Sequence, residues 1–160
     1  MAFNFFKKKK KDDPDELIRA LEKILAERDY LQFVMKVASD SGRGRNNPEE
    51  IKSAALKLIS SEDDDIAFFA IDACAVRMHL SESFPEIISR LSKSNSVEVL
   101  YSMTSGLGVL GRRNLIERKL IIDAIDKVRK LVLIEKDNEE ALKNCDDFLE
   151  ELSGKGSESV

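Results

Sequence analysis

Three glycines in the stretch SGLGVLGRRN have the order G-x-G-x-x-G, the fingerprint of a dinucleotide-binding turn. In such a site a strand leads into the first glycine, and the glycines let the backbone approach a pyrophosphate at a helix N-terminus. Here Ser102, Thr104 and Ser105 occupy positions where an apolar strand should end. Only 49 residues follow Gly111, too few to complete a parallel sheet. We therefore expect Gly106, Gly108 and Gly111 to bind no nucleotide.

Few other residues could do chemistry. His79 is the only histidine and lies at the predicted end of a helix, where a surface or partly packed ring is expected. Cys74 and Cys145 stand far apart without a histidine at metal-ligand spacing, which predicts two reduced and buried thiols. No phosphate-binding loop, Cys/His cluster or serine in a strained turn is recognisable. The sequence thus predicts a protein without catalytic residues, metal or cofactor.

Helical periodicity covers most of the chain. Apolar residues recur every three or four positions, and Asp13-Pro14 and Asn47-Pro48 combine a capping residue with a proline suited to the first helical turn. The pattern predicts an all-α fold of about eight helices, including 14–27, 48–60, 66–80 and 115–134, with Asp137 capping the last helix. We expect a flexible basic arm over 1–12, a single helical-repeat domain over 13–153 and a disordered tail over 154–160.

Residues 48–80 and 83–111 share one spacing pattern. When the chain is shifted by 33 residues, apolar positions fall on apolar ones and small residues on small ones. The matched pairs are Ile51/Phe84, Ala54/Ile87, Ala55/Ile88, Leu58/Leu91, Ile66/Val99, Ala70/Met103, Ala73/Gly106 and Ala75/Gly108. The pattern predicts two helical hairpins in which Ala73 and Gly106 are buried where helices approach closely.

The segments IAFFAIDACAV (66–76) and LGVLG (107–111) resemble the second helix of HEAT-like repeats, with the best match over 48–111. The chain departs from that family at Ala67 and Leu100, where the repeat has arginine, and in its turns, which lack the Asp-Pro of the repeat. The resemblance implies antiparallel helical hairpins stacked into a right-handed α-solenoid, with the glycines as helix-packing residues. It is the basis for expecting a protein that binds other proteins.

The charge distribution indicates the kind of partner. Lys7 to Lys11 contribute five positive charges to a net charge of −4, which leaves −9 on the rest of the chain. An acidic surface repels nucleic acid and steers basic partners toward it. Four acids stand in a row at 62–65, more than the one or two that a helix start uses. The predicted partner-binding residues are Glu62, Asp63, Asp64, Asp65, Phe68, Asp72, Glu98 and Tyr101.

Two functions fit these features. The first is a cytoplasmic immunity protein that neutralises a basic bacterial toxin, such as a nuclease, without contacting nucleic acid directly. The second is an adaptor that docks on an anionic membrane through Phe3, Phe5, Phe6 and Lys7 to Lys11. No apolar run approaches the roughly 20 residues of a membrane-spanning helix, and the lysines follow the aromatics instead of preceding an apolar segment. A cytoplasmic location is therefore expected.

Overall fold

The computed structural model describes residues 14–39 and 48–154, and all regular structure in these ranges is helical. The predicted basic arm and most of the predicted tail lie outside them. The described helices are α1 (Pro14–Ala26), α2 (Tyr30–Ser39), α3 (Pro48–Lys57), α4 (Asp64–Ile71), α5 (Ser83–Arg90), α6 (Val97–Arg112), α7 (Arg118–Val132) and α8 (Glu139–Leu152). The all-α class predicted from periodicity is confirmed.

Two helices continue in a different helical form. A 3₁₀ turn, Leu58–Ser60, extends α3, and a π-helical segment, Asp72–Arg77, extends α4. In that segment the Met78 amide donates to the Ala73 carbonyl over 2.9 Å, five residues back. His79 then takes a left-handed conformation with φ 54° and ends the helix. The helix predicted over 66–80 is therefore real, but its second half is wider than an α-helix.

The predicted cap of the last helix is wrong by one residue. Asp137 has φ 52°, which excludes it from the helix start, and Asn138 occupies the N-cap position. The Asn138 side chain points back and donates to the Val132 carbonyl over 3.1 Å. Asp137 is thereby left in solvent with its carboxylate unused by the helix backbone.

Helix α6 lies at the centre of the described fold. It packs against α4, the π-helical segment, α7 and α8, and ten of its sixteen residues are buried. A helix that is apolar on most sides must be covered on most sides. Its neighbours α7 and α8 are in turn strongly amphipathic, with one apolar face each, whereas α4 is apolar over most of its length. The core from α4 onward is therefore built around a single helix, whereas α1, α2 and α3 pack on one another and on α4.

The glycines of α6 let neighbouring helices approach it closely. A Cβ built on Gly106 would lie 3.0 Å from Cβ of Ala75 and 3.2 Å from Cγ2 of Ile71. At Gly108 the added atom would lie 2.3 Å from the Phe148 ring, and at Gly111 it would lie 3.0 Å from Cγ2 of Ile121. Gly106 thus faces α4 with its π-helical extension, Gly108 faces α8, and Gly111 faces α7.

Burial at the repeat positions agrees with the sequence. Ala73 is fully buried and Gly106 is buried within α6, as the 33-residue match predicts. The match also extends to the helix starts, since Asp63 and Ser96 are both N-cap residues whose side chains accept backbone N–H bonds. The two stretches of similar spacing therefore begin with the same kind of N-cap, and each buries its matched small residue.

Helices α4, α6 and α8 run in the same direction, with α6 in the middle. Near their starts, the Asp64 carboxylate accepts the Ser96 amide over 3.2 Å, and Ser102 Oγ donates to the Phe68 carbonyl over 3.0 Å. Near the far ends of α6 and α8, the Arg112 guanidinium donates to Glu151 over 2.7 and 2.8 Å. The N-termini of these helices consequently lie at one end of the fold.

Buried Arg90 joins the end of α3 to the start of α4. Its side chain is 1% exposed, and Nη1 donates to the carbonyls of Ile59 and Ser61 over 2.9 and 2.7 Å. Nη2 donates to Asp64 Oδ1 over 3.1 Å. Burial lowers the pKa of the guanidinium from its usual value, and Asp64 acts against that shift. The Arg90 guanidinium thus donates hydrogen bonds both to the carbonyls after α3 and to Asp64 at the start of α4.

The pair α1 and α2 is fixed to α4 by aromatic contacts. Tyr30 meets Phe69 edge-on, with ring centroids 4.5 Å apart. The Arg28 guanidinium lies 5.9 Å from the Phe69 centroid, and that of Arg77 lies 5.4 Å from the Tyr30 centroid. These contacts place the α1–α2 turn beside the π-helical segment.

Replacing Arg90 by alanine should lower the free energy of unfolding by about 3 kcal/mol, because two buried carbonyls and Asp64 lose a charged donor. Urea denaturation measures the change. Arg113→Ala is the matched control, since Arg113 is exposed at the end of α6 and its loss should cost less than about 0.5 kcal/mol. Equal effects of the two substitutions would contradict the structural role of Arg90.

Gly108→Ala should destabilise the fold by about 1–2 kcal/mol, because overpacking against the Phe148 ring outweighs the helix propensity that alanine gains. A double-mutant cycle with Phe148→Leu checks the cause. Alanine should cost less when the ring is absent, with a coupling of about 1 kcal/mol. Additive effects would show that Gly108 is needed for another reason.

Candidate functional site: an acidic cleft with an aromatic lining

A cleft of about 240 Å³ opens where α4, α6 and α8 lie side by side near their N-termini. Phe68 comes from α4, the first turns of α6 and α8 supply the other walls, and Asp137 comes from the turn before α8. We call this the acidic cleft, and its lining residues are Phe68, Val97, Glu98, Tyr101, Asp137, Glu140 and Ala141.

Local hydrogen bonds fix the walls of the acidic cleft. Ser96 caps α6 by accepting the Val99 amide over 3.3 Å. Asn144 on α8 donates to the Tyr101 carbonyl over 3.3 Å and to Ser105 Oγ over 3.0 Å. The hydrogen bond from Ser102 Oγ to the Phe68 carbonyl joins α6 to α4. The spacing of the three helices at the cleft is therefore set by side-chain bonds as well as by apolar packing.

The electrostatics of the cleft favour a cation. Glu98, Asp137 and Glu140 are exposed, whereas Phe68 and Tyr101 are half-buried and pack against the core. Carboxylates attract ammonium and guanidinium groups, and an aromatic face adds about 0.5–1 kcal/mol for a cation at an exposed site. Three acids around two rings therefore form a surface suited to lysine or arginine side chains.

The structure brings together three of the eight predicted partner residues. Phe68, Glu98 and Tyr101 all line the acidic cleft. Asp72 lies elsewhere, with its carboxylate 2.9 Å from Nε of Arg77. Glu62 and Asp65 are exposed at the start of α4. The predicted residues thus fall on more than one part of the surface.

Two of the four consecutive acids accept hydrogen bonds from other residues of the chain. Asp63 Oδ1 accepts the amides of Asp65 and Ile66 over 2.9 and 3.3 Å, which caps α4. Asp64 binds Arg90 with one oxygen and the Ser96 amide with the other. Folding thus explains half of the run of acids, Asp63 and Asp64, and leaves Glu62 and Asp65 as the excess charge.

Asp137 and Glu140 line the cleft although neither is among the predicted partner-binding residues. They belong to the start of α8, which lies 42 residues after the start of α6 if the N-caps Ser96 and Asn138 are compared. The 33-residue spacing does not reach them. Their common position, in the first turn of a helix or just before it, is the signal that could have grouped them with Glu98.

A second and smaller groove lies on the other side of the α7–α8 turn. It has a volume of about 140 Å³, and we call it the apolar groove because Leu100, Leu131 and Ile134 form its apolar wall. Its remaining lining residues are Lys93, Ser94, Asn95 and Glu135. Lys93 also donates to the Ser60 carbonyl over 2.8 Å, which ties the α5–α6 turn to the end of α3.

A third concave surface surrounds Tyr30. Its volume is about 480 Å³, and it is lined by Arg28, Asp29, Tyr30, Leu31, Val34 and Arg77. Burial is the main factor that raises the pKa of Tyr30 to about 12, with the nearby Asp72 carboxylate adding to it. Asp29 accepts the Gln32 amide over 3.0 Å and so helps to begin α2.

The cysteines and the histidine lie within the fold. Cys74 and Cys145 are free and buried, as predicted, and burial raises the pKa of the Cys74 thiol to about 12. Cys145 Sγ lies 3.3 Å from Thr104 Oγ1. His79 is half-buried, with Nδ1 unbonded within residues 14–39 and 48–154. Over the same ranges, no three His, Cys, Asp or Glu side chains are grouped as metal ligands would be.

No family model, curated protein or solved structure matches the chain. Among the described residues, no helix combines the length and apolar character that crossing a bilayer requires. The geometry of the clefts and the charges around them is therefore the basis for assigning a function.

Proposed function

We propose that the chain is a non-catalytic protein-binding module that takes a basic segment of another protein into the acidic cleft. One observation carries the proposal: Glu98, Asp137 and Glu140 surround the half-buried rings of Phe68 and Tyr101. Charge complementarity would raise the association rate, and contact with the rings would slow dissociation.

The acidic cleft suits a protein side chain better than a large ligand. At about 240 Å³ it is smaller than the roughly 300–1,000 Å³ of typical small-molecule sites. A lysine or arginine side chain carries an aliphatic stem that can lie on the rings while its charged end meets the carboxylates. The proposed partner is thus a basic protein that inserts one or two such side chains.

The more specific proposal is that the module is a cytoplasmic immunity protein for a basic toxin, such as a nuclease. The −9 charge outside the lysine run fits a partner that itself binds nucleic acid. Such an inhibitor need not contact nucleic acid. If the gene next to this one encodes a basic nuclease, co-expression of the two should protect cells, and mixing the purified proteins should stop nucleic-acid cleavage.

We also propose that the fold is a HEAT-like, right-handed solenoid of antiparallel hairpins. The common direction of α4, α6 and α8 supports this arrangement, as do the N-caps Asp63 and Ser96 at one 33-residue spacing. In such a stack the turns within hairpins lie on one edge. The acidic cleft would then lie where successive second helices begin.

The main test removes charge from the acidic cleft without changing side-chain size. The triple variant Glu98→Gln, Asp137→Asn, Glu140→Gln should bind a fluorescein-labelled, arginine-containing decapeptide about tenfold more weakly in about 20 mM salt. The difference should shrink in about 300 mM salt, where exposed charges are screened. Fluorescence anisotropy measures both affinities.

The matched control is Glu117→Gln, Asp123→Asn, Glu150→Gln, which removes the same charge from exposed positions outside the cleft. This control variant should weaken peptide binding by less than about threefold, since only the overall electrostatic field of the protein changes. Equal losses in the two triple variants would mean that the acidic body binds cations without a specific site. Asp63 and Asp64 stay unchanged because they hold the fold together.

A membrane-peripheral adaptor is the second candidate, and the exposed face of α2 favours it. Leu31 and Met35 are 70% and 57% exposed, one helical turn apart, with Arg28 beside Leu31 around the Tyr30 cavity. With the Phe3, Phe5, Phe6 and Lys7 to Lys11 segment, this face would contact anionic lipid. Leu31→Ser with Met35→Ser should then reduce cosedimentation with phosphatidylglycerol vesicles several-fold, whereas Leu120→Ser should not. Equal sedimentation of the parent chain and both variants would show that the α2 face does not contact lipid, and deletion of residues 1–11 then tests the lysine segment alone.

A further inference from the structure

The α7–α8 turn carries two apolar side chains that the fold leaves in solvent. Ile134 is 77% exposed and Leu133 is 52% exposed, and within the described residues no other large hydrophobic side chain is as exposed as Ile134. Single exposed apolar residues are ordinary on protein surfaces. Here, however, two adjacent residues protrude at one turn, and one of them forms the wall of a groove.

The position of this apolar pair is fixed by the backbone. The amides of Leu133, Ile134 and Glu135 donate to the carbonyls of residues 129, 131 and 132 over 3.0, 3.2 and 3.0 Å. Asn138 donates a further bond to the Val132 carbonyl over 3.1 Å. A turn whose backbone is already ordered loses little backbone freedom when a partner covers it, which favours binding.

The two concave surfaces on either side of this turn are close together. Glu135 lines the apolar groove and Asp137 lines the acidic cleft, so only Lys136 separates the two lining residues along the chain, and at most about 7 Å of backbone lies between them. On α6 the neighbours Leu100 and Tyr101 line the groove and the cleft respectively. One short segment of a partner can therefore contact both.

We propose that the partner inserts one continuous segment that uses both surfaces. A lysine or arginine enters the acidic cleft, and an apolar side chain two to four residues away in sequence packs on Leu100, Leu131 and Ile134. This proposal rests on the proposed function, because it gives the basic segment its second contact. The cleft would set the association rate and salt dependence, and the groove would set much of the dissociation rate.

Labelled decapeptides test the proposal. Each peptide holds two adjacent arginines and one leucine placed two, three or four residues away, on either side. A matched peptide has serine in place of the leucine. At one spacing, the leucine peptide should bind the full chain about tenfold more tightly than its serine counterpart, in a fluorescence anisotropy titration.

Ile134→Ser should abolish that tenfold gain and leave the affinity of the serine peptide unchanged. Leu120→Ser is the control, since Leu120 is 47% exposed on α7 and lines neither surface. The Leu120→Ser variant should still bind the leucine peptide about tenfold more tightly than the serine peptide. Thermal melting of the Ile134→Ser variant should match the parent chain because that side chain is largely in solvent.

The outcomes separate this proposal from the proposed function. If the serine peptides show no salt-sensitive binding that depends on Glu98, Asp137 and Glu140, the proposed function fails. If they bind in that way but leucine adds nothing at any spacing, the two-surface proposal alone is overturned. A leucine gain that survives Ile134→Ser overturns it as well, because the apolar contact would then lie elsewhere.

Discussion

The buried guanidinium of Arg90 is the interaction on which the arrangement of the central helices depends. It lies at the end of α5 and donates to the end of α3 and to Asp64 at the start of α4. Asp64 then accepts the Ser96 amide, at the start of α6. A buried charge is stabilising only when its donors are matched, and here most of them meet oxygens. Four helix ends therefore meet around one cation.

That meeting point determines where the acidic cleft forms. Because Asp64 and Ser96 are joined, α4 and α6 begin side by side, and Phe68 and Tyr101 lie about one turn further along their helices. Helix α8 can join them only because Gly108 has no side chain in the path of the Phe148 ring. The aromatic lining of the cleft is thus a product of how closely three parallel helices pack, and its acids come from the starts of two of them.

The acidic residues named above fall into two groups according to what their carboxylates contact. Asp63 and Asp64 accept bonds from the chain itself, and Asp72 pairs with Arg77. Glu98, Asp137 and Glu140 line a cleft instead, with their carboxylates in solvent. Acids of the first group are fixed by folding and those of the second are open to a partner. This division is the reason that the second group, and not the run at 62–65, carries the functional proposal.

The sequence by itself determined the helices and the burial of two small residues within them. Periodicity, capping residues and the 33-residue match predicted the all-α class and the burial of Ala73 and Gly106, because these features depend on local propensity and on which face of a helix is apolar. The glycines could be interpreted as packing residues for the same reason, since no strand led into them. Helix ends were predicted less well, as at Asp137 and in the π-helical segment, because tertiary contacts select among similar local conformations.

Tertiary structure alone decided which distant residues meet. In sequence, Arg90 resembles any arginine near a helix end, and nothing local shows that it is buried against Asp64, 26 residues earlier. The pairing of Phe68 and Tyr101 with Asp137 and Glu140 likewise joins residues about 40 to 70 positions apart. Such meetings depend on the order and closeness of helix packing, which is a sum over many weak apolar contacts and has no short-range signature. The helices could therefore be predicted from the sequence, whereas the cleft between them could not.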